Sequence, residues 1–486
     1  MDKKANIKNK AISGFFWSLA ENGGSYLLHF LIGLVLVRLI PPYDYGIIGM
    51  MTIFFVLGNV LSDSGLTAAI VQKQEPEDRD FSTVLIINVM ISFVYYIVLF
   101  IVSPFIAEFY REPILTDTLR LFGLNSFIAG FGIVQQAIIS RNLDYRRWAK
   151  INLTSLFIAG TISIIIAAMG MGLLALVMIQ LIQNTANTIQ LWIFGGWNHG
   201  FRFSMSSFKS LYKFSNPLLV INAVNAIFLE IYYLLIGRIF KAEKLAYYMR
   251  ARQTAEVFPQ QLTYTLNKVM LPVFSNFQDD IESLRSSLRK VYLMVAYLNF
   301  NILAFLSING KAIFILLFTD KWLESVPLFA VLCIEGMFMP AFTSVGNILI
   351  ARGKSKFYMK IELSKKIVQA ISIYLTISSL ELLVIGQLII SILFMVIGMI
   401  IAKREINFRI HEQIALVLPY VLTAVSIFMI NYISNIFLMH SHPAVNLFAN
   451  LILSFTVFIA ISHLFKLEAY IVIRSIIMDK FNLRKR

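Results

Sequence analysis

Fourteen mostly apolar runs, each long enough to cross a bilayer, follow one another along the 486 residues with short polar breaks between them. A crossing helix needs roughly 20 such residues, and the pattern predicts spans near 12–38, 45–71, 83–107, 119–140, 151–170, 173–193, 214–236, 246–274, 290–317, 325–351, 359–379, 381–402, 413–434 and 444–465. Inside hydrocarbon every backbone polar group must be satisfied within its own segment or a closed barrel, so runs of this length are helices. The expected fold class is therefore an all-α integral membrane protein with 14 transmembrane helices. No break exceeds roughly 20 residues, whereas a folded domain needs about 50, which leaves no room for an extramembrane catalytic or nucleotide-binding domain.

Composition agrees with the pattern: 58% of residues are hydrophobic, 14% are charged, and mean hydropathy is +0.74. A net charge of +15 would suggest nucleic acid in a soluble chain, but here the distribution of the charge matters more. Of 42 Lys and Arg, 29 fall in the two tails and the alternate loops on one side, and 10 on the other side and its adjoining span ends. Cytoplasmic loops carry the excess, so both termini are expected in the cytoplasm and the span count is even. Cys333, the lone cysteine, lies within an apolar run, which excludes a disulfide framework. The tail with Lys3, Lys4, Lys8 and Lys10 leads into a run too long for a cleaved signal, and it reads as a first span.

The two halves look alike. Arg141-Asn-Leu-Asp-Tyr-Arg-Arg-Trp-Ala-Lys150-Ile-Asn-Leu153 matches Arg352-Gly-Lys-Ser-Lys-Phe-Tyr-Met-Lys360-Ile-Glu-Leu363 with one residue dropped. Likewise Arg38-Leu-Ile-Pro-Pro-Tyr-Asp-Tyr45 loosely parallels Arg238-Ile-Phe-Lys-Ala-Glu-Lys-Leu-Ala-Tyr247. An offset of six spans makes this a parallel repeat, one recurrent transporter plan.

A central Arg, Lys or Asp costs roughly 2.5–3.5 kcal/mol in a membrane span, so intramembrane polar residues are informative. In span 8, Arg250, Gln253, Glu256, Gln260, Thr263 and Asn267 recur at helical spacing on one stripe, and Arg252 stands four residues before Glu256. Span 1 sets Ser18, Glu21, Asn22, Ser25 and His29 on one face, and span 2 adds Thr52, Asn59 and Asp63. The ionisable members point to an aqueous cavity, while neutral Asn and Gln more often bond helices together. Span 6 carries only neutral residues, Gln180, Gln183, Asn184, Asn187 and Gln190, and interhelical bonding is its default reading. Span 11 sets Glu362, Lys365, Lys366, Gln369 and Thr376 on one face, between ligand binding and snorkelling to headgroups.

Other apparent motifs dissolve. Gly353-Lys354-Ser355 lacks the upstream glycine spacing of a phosphate loop. Asp78-Arg79-Asp80 sits in a solvated run, and His440-Ser441-His442 has no third ligand nearby, so no metal site is expected. The stretch from Lys466 to Arg486 mixes Ile and Val with Lys and Arg as an interfacial cytoplasmic helix over anionic lipid would.

Several segments together resemble polysaccharide flippases of the multidrug, oligosaccharidyl-lipid and polysaccharide exporter superfamily, in the O-antigen and colanic or teichuronic acid branch. They are the Lys-rich tail into Ser13-Gly14-Phe15-Phe16-Trp17-Ser18, Arg38 to Gly46, Leu61-Ser-Asp63-Ser-Gly65-Leu66 with Ala68 to Gln72, Arg141 to Tyr145, and Leu271-Pro272-Val-Phe274-Ser275. The resemblance implies two pseudo-symmetric six-helix lobes, 1–200 and 201–408, two additional helices in 409–465 and a basic cytoplasmic tail at 466–486. It implies that spans 1, 2, 7 and 8 face a central cavity, with Asn222, Asn225 and Glu230 contributed by span 7. It also implies alternating-access translocation of an undecaprenyl-pyrophosphate-linked oligosaccharide from the inner to the outer leaflet of the bacterial cytoplasmic membrane. The expected partners are that lipid, bulk membrane lipids, and polysaccharide polymerase and assembly proteins, with no nucleic acid.

On this reading Arg250, Arg252 and Lys268 are candidates for the pyrophosphate, since a guanidinium fork matches phosphate geometry. Gln253, Gln260, Asn222, Asn225, Asn22 and Ser25 are candidates for the cavity lining. Glu21, Asp63, Glu230 and Glu256 depart from a purely basic cavity and are candidates for coupling to H+ or Na+, with no other cofactor expected. An ion-coupled exporter of drugs or small cations shares the architecture and is the alternative. A membrane polymerase or ligase would need a large outer loop, so the chain is not expected to be an enzyme.

Overall fold

The computed structural model describes residues 2–63, 65–73, 75–195, 202–472 and 474–475; the side chains at 2–12, 15, 63, 68, 213–214, 216–218, 220–225 and 229 lie outside the description. The helices are α1 (Asp2–Leu39), α2 (Pro42–Asp63), α3 (Leu66–Gln72), α4 (Asp78–Tyr110), α5 (Leu115–Arg141), α6 (Tyr145–Ala168), α7 (Gly172–Phe194), α8 (Met205–Ile239), α9 (Ala242–Asn276), α10 (Ile281–Val295), α11 (Asn301–Ile308), α12 (Gly310–Phe318), α13 (Ser325–Ala351), α14 (Ser355–Thr376), α15 (Leu380–Ile406), α16 (Ile410–Phe437) and α17 (Pro443–Leu464). A π-turn at Ala296–Phe300 joins α10 to α11, so the two form one rod. Counted that way, fourteen rods of at least 22 residues stand among the described residues.

Eleven of these rods are long and apolar enough to cross a membrane by hydropathy alone. The other three are α8, α9 and α14. Helix α9 bears Glu243, Lys244, Arg250, Arg252, Glu256 and Lys268, and α14 bears Lys356, Lys360, Glu362, Lys365 and Lys366. Their charges lower the hydropathy of helices that otherwise have bilayer length.

The packing inverts that of a soluble protein. Asn88, Ser92, Asn125, Ser155 and Ser163 are fully buried between helices, while Phe105, Tyr374, Phe437 and Phe448 project outward. Lipid solvates the apolar side chains as well as a neighbour would, so the helices instead bury hydrogen bonds and small residues. Gly130 shows the closeness this allows: a Cβ there would come within 2.7 Å of Ser92 Oγ on α4.

The chain divides into two compact units, Met1–Ala246 and Tyr247–Arg486. In the first, α1 packs on α6, α6 on α7, α4 and α7 on α5, and α2 and α3 on α8. In the second, α13 and α14 pack on α15, α11 on α13 and α16, and α16 on α17.

Two sequence expectations change at helix breaks. The run 45–71 is two helices, because Gly65 adopts φ +69 between α2 and α3. Only a residue without Cβ enters that region easily. The run 290–317 is likewise cut at Asn309, and the rod begins earlier, at Ile281, where Asp280 caps it.

The repeated segments adopt the same local form. Between α5 and α6 the chain turns through Leu143 at φ 56, and between α13 and α14 through Gly353 at φ 72. Arg141 Nη1 donates to the carbonyls of Ile70, Val71 and Lys73 at the end of α3. Arg352 Nη1 donates to the carbonyl and the carboxylate of Glu405 at the end of α15. The second pair also agrees: α1 and α2 are parted by Ile40-Pro41, and α8 and α9 by Phe240-Lys241, two residues each. In both cases the first residue of the break closes the preceding helix, Ile40 N to Leu36 O at 2.9 Å and Phe240 N to Ile236 O at 2.8 Å.

Of the tail at 466–486, the first part docks within the second unit: Arg289 holds Glu468 with two bonds of 2.6 Å, and Ala469 N donates to Tyr420 Oη. The remainder of the expected interfacial helix, 476–486, lies outside the described residues.

Candidate functional site

Helix α9 carries six charged residues, of which Arg250, Arg252 and Glu256 are half-buried. It continues through Pro259 and Pro272, each of which costs it a backbone hydrogen bond. Arg252 is half-buried: its Nη1 donates to Tyr248 Oη at 2.7 Å and its Nε to Glu256 Oε1 at 2.8 Å. The other Glu256 oxygen accepts from Gln260 Nε2 at 2.7 Å. Tyr248 is fully buried and bonds Gln387 of α15, whose Nε2 lies 2.8 Å from the hydroxyl. A continuous polar chain therefore runs Gln387, Tyr248, Arg252, Glu256, Gln260.

Further charges gather around it. Glu335 on α13 accepts from Ser391 of α15 at 3.0 Å and lies within electrostatic reach of Arg252, Glu256 and Lys365. Lys366 feels Lys365, Glu362 and Arg252, and the Lys365 ammonium sits 5.1 Å from the Phe342 ring centroid. The polar face of α14 thus joins that of α9. Tyr248, Glu335 and Gln387 were missed in the sequence, because Glu335 and Gln387 are single polar residues in apolar runs, Tyr248 is one aromatic among several, and only the packing shows their partners.

Arg250 stands apart from Arg252. Two residues on a helix differ by about 200°, and the Arg250 guanidinium lies 5.1 Å from the Phe318 centroid and 5.0 Å from that of Trp322. The two arginines do not form one clamp. Lys268 is exposed and stands roughly 24 Å beyond Arg252 at 1.5 Å per residue, so these two bases reach different depths. Gln253 and Gln260 are both exposed.

In the first unit, Glu21 is buried and accepts from Asn152 Nδ2 of α6 at 2.5 Å and from Ser25 Oγ at 3.3 Å. Asn22 donates to the Ser18 carbonyl at 2.8 Å. Glu230 is half-buried on α8. The side chains of Asp63, Asn222 and Asn225 lie outside the described residues.

A model of a family described as polysaccharide biosynthesis protein matches residues 35–327, more than half of the chain. The chain belongs to that family. Among related proteins, the lipopolysaccharide biosynthesis protein WzxC of Escherichia coli (strain K12) is 24% identical over 362 residues, 74% of each chain. The teichuronic acid biosynthesis protein TuaB of Bacillus subtilis (strain 168) is 24% identical over 375 residues, 76% of this chain and 77% of its own. The fold resembles that of the lipid II flippase MurJ in its inward closed conformation, with TM-score 0.72 at 12% identity over 92% of this chain and 98% of that one. This member of the polysaccharide biosynthesis family is thus a multi-pass, all-α membrane protein with half-buried charged residues along α9 and α14.

Proposed function

We propose that the chain flips an undecaprenyl-pyrophosphate-linked oligosaccharide from the inner to the outer leaflet of the bacterial cytoplasmic membrane, by alternating access, for surface polysaccharide synthesis. The observation that carries this reading is the conjunction of the family match with a fold like that of a lipid II flippase. The names of the related proteins, in lipopolysaccharide and teichuronic acid synthesis, support the same substrate class.

The physical need is plain. Unaided, many hydroxyls and at least two negative charges would enter hydrocarbon without partners, at several kcal/mol for each group. A protein lowers that barrier by offering hydrogen bonds and countercharge at membrane depth. Arg252 is the base we assign to the pyrophosphate, because its guanidinium already lies on a polar chain extending toward Gln260. Arg250, on another face of α9, and Lys268, at another depth, are further contacts for the substrate. Glu21, Asp63, Glu230 and Glu256 are the groups assigned to H+ or Na+ coupling. Both termini face the cytoplasm, as the charge bias requires, and polymerase and assembly proteins are the downstream partners.

Deleting the protein tests this reading. Lipid-linked repeat units should accumulate while surface polymer is lost, and drug sensitivity should not change. Normal polymer with heightened drug sensitivity would instead favour an exporter of small cations.

A further inference from the structure

The first unit contains a cavity of about 450 Å³ whose described lining includes none of the charged residues of α9. It is walled by α2, α3, α5, α6 and α7, and it presents Asn59, Gln136, Gln180, Gln183 and Asn187 with the rings of Phe55 and Trp148. No acidic or basic side chain lies among the described lining residues.

The neutral stripe on α7 was expected to bond helices together, and two of its members do. Asn184 donates to Asn125 Oδ1 at 2.8 Å, and Gln190 donates to Ser155 Oγ at 2.9 Å and accepts from Thr154. Gln180, Gln183 and Asn187 make no such bond among the described residues and face the cavity, as do Asn59 of α2 and Gln136 of α5. Asn187 Oδ1 and Thr67 Oγ1 are buried there without a partner among the described residues. A buried polar atom left unpaired costs about 1–3 kcal/mol, so amides of this number at membrane depth call for an occupant that both donates and accepts.

A pyrophosphate would need cations and a cationic drug would need an acid, and the described lining supplies neither. A primary amide offers two donors and an acceptor, which matches a hydroxyl-bearing ring, while Trp148 and Phe55 offer apolar faces for its C–H surface. From Gln180 to Asn187 the amide row runs about 10 Å along α7, long enough to engage hydroxyls on adjacent rings. Ser140, Trp148 and Leu191 place the cavity toward the loop that follows α5. On the charge bias that end is cytoplasmic, where an inward-to-outward flippase loads.

We propose that this cavity is a saccharide subsite, in which Asn59, Gln136, Gln180, Gln183 and Asn187 hold neutral sugar units of the lipid-linked substrate. The assignment rests on the flippase reading and separates recognition of the glycan from that of the pyrophosphate.

The test measures binding of two lipids to purified protein in nanodiscs: lipid-linked oligosaccharide extracted from the organism's own membranes, and undecaprenyl pyrophosphate without sugar. The double variant Gln183→Met with Asn187→Leu keeps volume and removes hydrogen bonding. It should bind the glycosylated lipid at least about tenfold more weakly and the bare pyrophosphate lipid as wild type does. Gln190→Met, outside the lining, should leave both affinities unchanged. Oligosaccharide released from the lipid should also shift tryptophan fluorescence in wild type and not in Trp148→Phe, a readout that survives if the double variant fails to fold. Unchanged affinity in the double variant, or an equal loss for both lipids, would mean that the cavity holds only water and would overturn the subsite. Wild-type protein indifferent to the sugar would overturn the flippase reading as well.

Discussion

Arg252→Ala separates a structural role for this arginine from a role in substrate binding. The guanidinium makes two short bonds, to Tyr248 at 2.7 Å and Glu256 at 2.8 Å. A hydrogen bond to a charged group contributes about 1.5–3 kcal/mol when buried, but the Arg252 and Glu256 side chains are 24% and 26% exposed, and screening reduces that. Losing both bonds and leaving Glu256 with Gln260 as its remaining donor should cost about 2 kcal/mol. Thermal melting of the purified protein should register it as a few degrees. Adding Glu256→Gln removes the stranded carboxylate and should recover about half of that loss. Flipping of lipid-linked oligosaccharide in vesicles should fall at least about tenfold in Arg252→Ala and stay low in the double variant, because a neutral amide in place of the carboxylate cannot replace the cation that meets the pyrophosphate. If the double variant regained both stability and flipping, Arg252 would serve only to neutralise Glu256, and the assignment of pyrophosphate binding would be wrong.

Other variants probe the fold. At Gly46 a Cβ would run into the backbone carbonyl of Ala242, so Gly46→Ala should destabilise by about 1–3 kcal/mol and lower the melting temperature, while Gly33→Ala, with open space around it, should be neutral or mildly stabilising. Asp280 accepts from the Ser283 hydroxyl at 2.5 Å and from the amides of Ser283 and Glu282, and these bonds, the hydroxyl's first, hold its carboxyl below the usual range. A depressed folded value adds stability that is complete above the unfolded carboxyl's value and lost as pH falls through the folded one; Asp280→Asn should keep the cap and flatten that acid limb in a melt series. Arg141→Ala frees three carbonyls at the end of α3 and should raise amide exchange at 66–73 with little change in α17.

The long apolar runs were legible because lipid demands them, and so was the repeat, whose Arg and left-handed turn recur at both junctions. Leu66, Ala69 and Ile70 prolong the apolar run of α2 past the polar Ser62-Asp63-Ser64-Gly65, a turn signal that the long run outweighs, and the backbone angle at Gly65 fixes the cut. Helical spacing found the charges of α9, whereas the family resemblance made Arg250 and Arg252 alike candidates for the pyrophosphate. Their opposite faces met different neighbours, Trp322 for one and Tyr248 for the other. The α7 stripe shows the same limit: Asn184 and Gln190 find partners while Gln183 and Asn187, on the same face, meet a cavity. Periodicity gives a residue's direction, and the neighbouring helices decide what it meets there.

Rebuilding the reaction in vesicles tests lipid flipping itself. Purified protein is placed in vesicles that carry undecaprenyl-pyrophosphate-linked oligosaccharide in both leaflets, and a membrane-impermeant glycan-cleaving enzyme is added outside. If the protein flips the lipid, the glycan protected in protein-free vesicles becomes cleavable when the protein is present, and is protected again in Arg252→Ala. Protection equal to that of protein-free vesicles, with wild-type protein folded in the bilayer, would contradict it.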